Sequence, residues 1–256
     1  MKQEVARATG KPGIEDVLLG VQSNTEAYYG RLRTARELSR RAADSAKRNK
    51  GKESAAWWWT AAALREAEFG NTVAAREATA TALSLAKNRD VLITTAVALA
   101  ETENVAEARE LIDKLNQNFP VDTIMQGYWL PTIRAHIELK RNEPAKAIAL
   151  LRTPLTYELS YEGSMQATYV RGQAYLANGQ GKEAAVEFEK ILGHPGLVGN
   201  SAIGALAHLG LARARAMAGD PAGARTAYQD FLALWKDADP DIPILKEAQQ
   251  EYAKLK

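Results

Sequence analysis

Few side chains in this sequence are suited to chemistry, and their spacing argues against most of it. The chain has 256 residues and no cysteine, which removes disulfides, thiolate nucleophiles, iron–sulfur clusters and the common structural zinc sites. Its three histidines, His136, His194 and His208, show no HExxH or paired spacing; structural roles are expected for them, and no metal site. Asp237, Asp239 and Asp241 imitate the opening of a calcium loop. Ile242 stands where that loop needs Gly, and Ala248 where it needs Glu. Asp241 reads better as an N-cap beside Pro243. Gly179-Gln180-Gly181-Lys182 imitates part of a phosphate loop but has Leu176 in place of its earlier Gly and Glu183 in place of Ser or Thr. No GxSxG occurs, and the carboxylates are scattered along helical patterns with Lys and Arg as solvated faces are. No catalytic residue, metal or cofactor is expected, and the chain reads as a non-enzyme.

Two features are suited to binding instead. Trp57-Trp58-Trp59 sweeps a wide arc on a helix, because successive residues turn by about 100° and three in a row cannot share one buried stripe. Either one indole stays in solvent, where tryptophan is a typical hot spot, or neighbouring elements surround the helix and bury all three. The second feature is basic. Residues 1–54 hold 12 basic and 7 acidic side chains, although the whole chain carries only +2. Arg33, Arg36 and Arg40 fall with Lys47 on one helical face beside Arg41. That face can grip nucleic acid or another polyanion. The alternative, a solvated outer face, is favoured: no aromatic residue interleaves the run for base stacking. No apolar run nears the roughly 18 residues of a membrane span, and the N-terminus lacks the hydrophobic segment of a signal peptide. No membrane insertion by this chain is expected.

The elements that must position these residues repeat. Gly30, Gly70, Gly179 and Gly219 each follow an Ala-rich apolar stretch and precede an Ala five residues on, at 35, 75, 184 and 224. Glu103 with Ala108, and Asn142 with Ala147, keep the offset without the Gly, so the marks recur every 33 to 40 residues. A period in this range signals a solenoid. Ile112, Leu151, Phe188 and Tyr228 follow the Ala by four, and Leu115, Pro154, Ile191 and Phe231 by seven, which is one helix face. Each unit therefore reads as helix–turn–helix: Gly ends the first helix with a positive φ, and Ala lets the second lie close against it. Asp220-Pro221 and the early Pro144 are helix starts, while Pro120, Pro195 and Pro240 fall between units. Val91-Leu92-Ile93 is too short for a strand and runs into a helical pattern.

The unit TYVRGQAYLANGQGKEAAVEFEKIL resembles a tetratricopeptide (TPR) repeat: Gly172, Tyr175, Gly179, Ala184, Phe188 and Ile191 match its small and large positions in order. Ala212, Gly219, Ala224, Tyr228 and Phe231 match nearly as well. The resemblance implies an all-α fold, a right-handed α-α superhelix of about six hairpins closed by a C-terminal capping helix. The units are expected at residues 14–50, 54–88, 90–119, 122–154, 161–194 and 199–238, with the cap at 242–255. It also implies a concave groove that binds a protein or peptide. The repeat's register puts Trp59 in the core and presents Trp57, Thr60 and Leu64, then Trp129, Thr132 and His136, then Tyr169 and Gln173, then Leu209 and Arg213 to that groove. The Lys and Asn clamp that the family uses for C-terminal carboxylates is missing.

A narrower resemblance lies in TEAYYGRLRTARELSRRA, AALREAEFGN, YVRGQAYLANGQGKEAAVEFEKIL and GALAHLGLARARAMAGD. Together these look like the C-terminal repeat region of a group of bacterial serine/threonine protein kinases, in which the repeats are regulatory or partner-binding. Kinase motifs are missing here; Asp230-Phe231-Leu232 lacks the Gly of DFG. The resemblance thus implies the sensing or scaffold part without its catalytic part. Residues 1–13 fit this: Met1 to Ala8 reads as an uncapped helix ended by Gly10-Lys11-Pro12-Gly13, the expected remnant of a repeat whose first helix was removed. Lack of cysteine fits the cytoplasmic or the extracytoplasmic part of a membrane-anchored parent.

Overall fold

In the computed structural model, residues 4, 7–102, 104–160 and 163–255 are described, and among them there are fourteen α-helices and no strand. Most of residues 1–8 and the expected turn residue Glu103 lie outside the described residues.

The helices pair as antiparallel neighbours. The pairs are α1 (Glu15–Tyr28) with α2 (Leu32–Arg48), α3 (Lys52–Glu68) with α4 (Thr72–Leu85), and α5 (Arg89–Glu101) with α6 (Val105–Asn118). They continue with α7 (Leu130–Lys140) and α8 (Pro144–Leu150), then α9 (Gln166–Ala177) and α10 (Gly181–Gly193). The short α11 (Pro195–Val198) leads into α12 (Ala202–Met217), which pairs with α13 (Pro221–Leu234), and α14 (Pro243–Lys254) follows. Each pair also packs on the next, so no hairpin buries its apolar face alone.

One turn geometry closes all six hairpins. In each, a backbone N–H reaches back to the carbonyl five residues earlier: Arg31 to Glu26, Asn71 to Glu66, Asn104 to Leu99, Glu143 to Glu138, Gln180 to Tyr175 and Asp220 to Arg215. In the five of these turns where the residue before the donor is described, that residue is left-handed. Gly supplies it at 30, 70, 179 and 219, and Asn142, at φ 60°, supplies it in the fourth hairpin. The Ala after each turn is buried in all six pairs, as are Ile112, Leu115, Leu151, Pro154, Phe188, Ile191, Tyr228 and Phe231. Asp220 caps α13 by accepting the Gly223 N–H at 2.9 Å. Before α7 the chain widens to a π turn, Met125–Trp129. Pro131 explains it: its ring nitrogen has no proton for the carbonyl four residues back.

Trp58, not Trp59, is the fully packed indole of α3. It lies on α1 where Gly20 leaves space and donates Nε1–H to Asp16 Oδ2 at 3.2 Å. Trp59 is half-buried. A Cβ at Gly20 would stand 2.2 Å from Trp58 Cζ3. Gly20→Ala gains about 1 kcal/mol of helix propensity, but displacing the ring costs about 1–3 kcal/mol and breaks the Asp16 bond. Urea denaturation is expected to show a less stable variant; equal stability would mean that the indole moves aside freely.

The two ends of the chain meet. Trp235, just past α13, packs edge-on against Phe69 and donates Nε1–H to the Tyr28 carbonyl at 2.9 Å. The Asp239 N–H donates to the Gly30 carbonyl, and Asn200 Nδ2 donates to the Val21 carbonyl and Thr25 Oγ1. Asp241 joins this seam by accepting from Arg33 Nη2 at 3.2 Å. It does not cap α14 as expected, because Ile242 holds the N-cap position without a side-chain bond.

Candidate functional site

The first helices of the later hairpins each turn one stripe toward a common interior. On α3 the stripe is Trp57, Ala61, Leu64 and Glu68, spaced to share a face. Exposure falls along it, from 42% at Trp57, through half-buried Ala61 and Leu64, to 8% at Glu68. The other expected groove residues lie on the closed part. Thr60, Thr132, His136, Tyr169 and Leu209 are buried; Trp129, Gln173 and Arg213 are half-buried. Thr60 and Thr132 donate their hydroxyls to the backbone carbonyls of Trp57 and Tyr128, about one turn back along the chain. Arg213 pairs with Glu251 at 2.9 Å and Glu247 at 3.2 Å on α14. Most positions expected on the groove are therefore buried or half-buried. α12 packs on α1 and α3, and of the expected residues only Trp57 stays in solvent.

The basic face of α2 is also not free. Arg33 pairs with Asp239 and Asp241, and Arg36 holds Glu66 through Nε and Nη2, both at 2.7 Å. Arg40 and Arg41 face Asp44 and Glu37 one turn away. Arg33 and Arg36 join α2 to the far end of the chain and to α3, Arg40 and Arg41 pair within α2, and all four side chains remain exposed. Deeper in, Arg65 donates to Ser23 Oγ and Ser39 Oγ, and burial pushes its guanidinium down to about 10.

Where α3, α5, α7 and α9 converge, the interior is polar. Glu101, at the end of α5, lies with Oε1 3.4 Å from Nδ1 of His136, which is 2% exposed. Glu68 comes from α3, and Gln166 and Tyr169 from α9. Among the described residues, four atoms of this cluster find no hydrogen-bond partner: Glu68 Oε1, Glu101 Oε2, His136 Nε2 and Gln166 Nε2. Burial pushes the Glu101 carboxyl up to about 7, against the pull of Lys140. Glu68 is held well above the carboxylate range by burial and by the charge of Glu101, against Arg65 and Gln166. Burial, helped by Lys140, drives His136 down to about 3, so its ring is neutral. Tyr169 is raised by burial and by both glutamates. Burial thus favours the protonated form of both carboxyls and the neutral form of the imidazole.

No protein-family model matches this chain, and comparison with curated proteins finds no match.

Sequence reasoning named His136 and Tyr169 but missed Glu68, Glu101 and Gln166. A signal was present for the glutamates. Glu68 extends the Trp57–Leu64 stripe by one turn, and Glu101 ends a run, residues 91–100, without a charge. Glu101 also has no Lys or Arg three or four positions away on its helix. A carboxylate on an otherwise apolar face, with no neighbour to pair with, faces the interior. Outside this wall a cleft of about 670 Å³ opens between α6, α7 and α8, lined by Ile112, Ile137, Leu150 and by Arg141, whose Nη1 holds Glu138 at 3.0 Å.

Proposed function

We propose that this chain is a non-catalytic scaffold, a right-handed superhelix of TPR-like hairpins that binds a protein or peptide at the open end of its inner wall. The observation that carries this reading is Trp57. Of the five tryptophans it alone is exposed, while Trp58 and Trp235 are buried and Trp59 and Trp129 half-buried. Its neighbour Trp58 packs on α1 at Asp16 and Gly20, and Val17 of α1, 45% exposed, and Ile14 just before it, 50% exposed, are also in solvent. An exposed indole, in a chain whose four other tryptophans are buried or half-buried, has the character of a binding hot spot. On the strength of its sequence resemblance, the chain is the regulatory or sensing region of a larger bacterial serine/threonine kinase; a kinase domain encoded upstream in the same reading frame tests that part.

The docking site is tested by a photo-crosslinking residue placed at position 57 and, separately, at the exposed Glu183 of α10. A partner is expected to crosslink from 57 and not from 183. Its affinity for the purified chain is expected to fall about 30-fold in Trp57→Ala, the loss of one hot spot, with thermal stability unchanged. The same crosslinks from both positions, or unchanged affinity in Trp57→Ala, would refute the docking site.

A further inference from the structure

Among the described residues no Lys or Arg is bonded to the carboxyl of Glu68 or Glu101, and Glu68 Oε1 and Glu101 Oε2 find no hydrogen-bond partner. The charged groups that act on them come from several packed elements. Arg65 of α3 spends its Nη atoms on Ser23 and Ser39. Lys140 of α7 is exposed and acts on Glu101 and His136 from a distance. Tyr169 of α9 lies near both carboxyls, and Arg213 of α12, which acts on Tyr169, is bound to Glu251 and Glu247. Arg76 and Glu77 of α4 and the five charged residues of α6 are exposed. Two unpaired carboxylates in a dry interior are too costly to coexist; the stable form keeps a proton on at least one.

We propose that this cluster is a proton-operated latch: a proton held by Glu68 and Glu101 lets α3, α5, α7 and α9 close on a neutral interior, and its loss loosens them. The sign follows from linkage. Glu101 binds a proton in the fold up to about pH 7, whereas an unfolded Glu releases it near 4.5, so its contribution is full below 4.5 and is lost as pH rises through 7. Glu68 acts in the same direction. His136 opposes them: an unfolded His takes a proton below about 6.5 and the buried one does not until about 3, so stability falls as pH drops through that window. Between 4.5 and 6.5 the imidazole offsets one carboxyl. Above 6.5 the two glutamates act unopposed.

The opening constant of α5 and α7, from native-state amide exchange corrected for its intrinsic pH dependence, is expected to rise about tenfold between pH 6 and pH 8. Glu101→Gln, which mimics the protonated acid, is expected to remove most of the rise and Glu68→Gln part of it. Glu110→Gln, on the exposed face of α6, is expected to leave it intact. The wild-type chain gives a second reading: the infrared band of a protonated carboxyl present at pH 6 is expected to disappear by pH 8. A pH-independent opening constant, an undiminished rise in Glu101→Gln, or no titrating acid band overturns the latch.

Discussion

Arg171→Ala is expected to cost about 3–5 kcal/mol, the loss that follows when one member of a buried ion network is removed and its partners stay behind. Arg171, on α9, is 2% exposed. Its Nη2 donates to Glu158 at 2.6 Å and to Glu187 at 2.5 Å, and its Nη1 donates to the Leu151 carbonyl. Alanine would leave Glu158 with Lys190 at 2.9 Å and Thr168 at 3.4 Å, and Glu187 with the Lys190 ammonium at 3.6 Å alone. One half-buried ammonium is a poor substitute for a guanidinium that bridges both carboxylates. The loss also has a location. Leu151 and Glu158 flank the 3-10 turn Thr153–Tyr157, whose backbone lies outside the regular helix pairs; Arg171 ties that segment to α9 and α10. Urea denaturation gives the energy, and amide exchange is expected to quicken first around residues 153–158. A double-mutant cycle of Arg171→Met with Glu187→Gln separates attraction from abandonment, since the double variant leaves less unpaired charge. It is expected to recover at least about 1 kcal/mol relative to the sum of the singles. A variant as stable as the wild type would mean that water enters and solvates the glutamates.

The pairing of helices was legible because it is written in local chemistry. A residue tolerant of positive φ ends each first helix where the sequence is described, and an Ala follows five residues on, so turn and crossing point appear within one short window. Asn142 shows the limit of reading Gly alone: the backbone demand is met by a side chain that also tolerates the left-handed region. Two things were not legible. A run of three tryptophans does not say which faces the neighbouring helix; Gly20, on another hairpin, selects Trp58. Nor does a repeat period say that the ends of the array meet. The residues of the seam read as surface features one at a time, Arg33 as part of a basic face and Asp241 as a cap. Only the fold makes them partners across 208 residues. Most of the expected groove residues are buried or half-buried as well, and so are Glu68 and Glu101.

That closure should depend on Trp235 more than on any surface charge. The indole is 2% exposed, lies 5.0 Å from the Phe69 ring and 4.8 Å from Phe231, and its N–H is donated to Tyr28. Gly30 leaves room for it: a Cβ there would stand 2.9 Å from the ring. Trp235→Ala removes a large side chain shared by the first, second and sixth hairpins and orphans the Tyr28 carbonyl, at an expected cost of about 3–5 kcal/mol. Against a typical stability of about 5–15 kcal/mol this is a large share. An array joined only through nearest neighbours would feel the change in α13 and α14 and lose the signal with distance. The seam makes a different demand: exchange in α1 and α2, nearly the whole sequence away, should quicken together with α13, while α6 and α8 change little. Trp235→Phe keeps a ring against Phe69 but loses the donor, and is expected to cost about 1–3 kcal/mol. If Trp235→Ala quickens only α13 and α14, the ends of the chain lie side by side without stabilising one another.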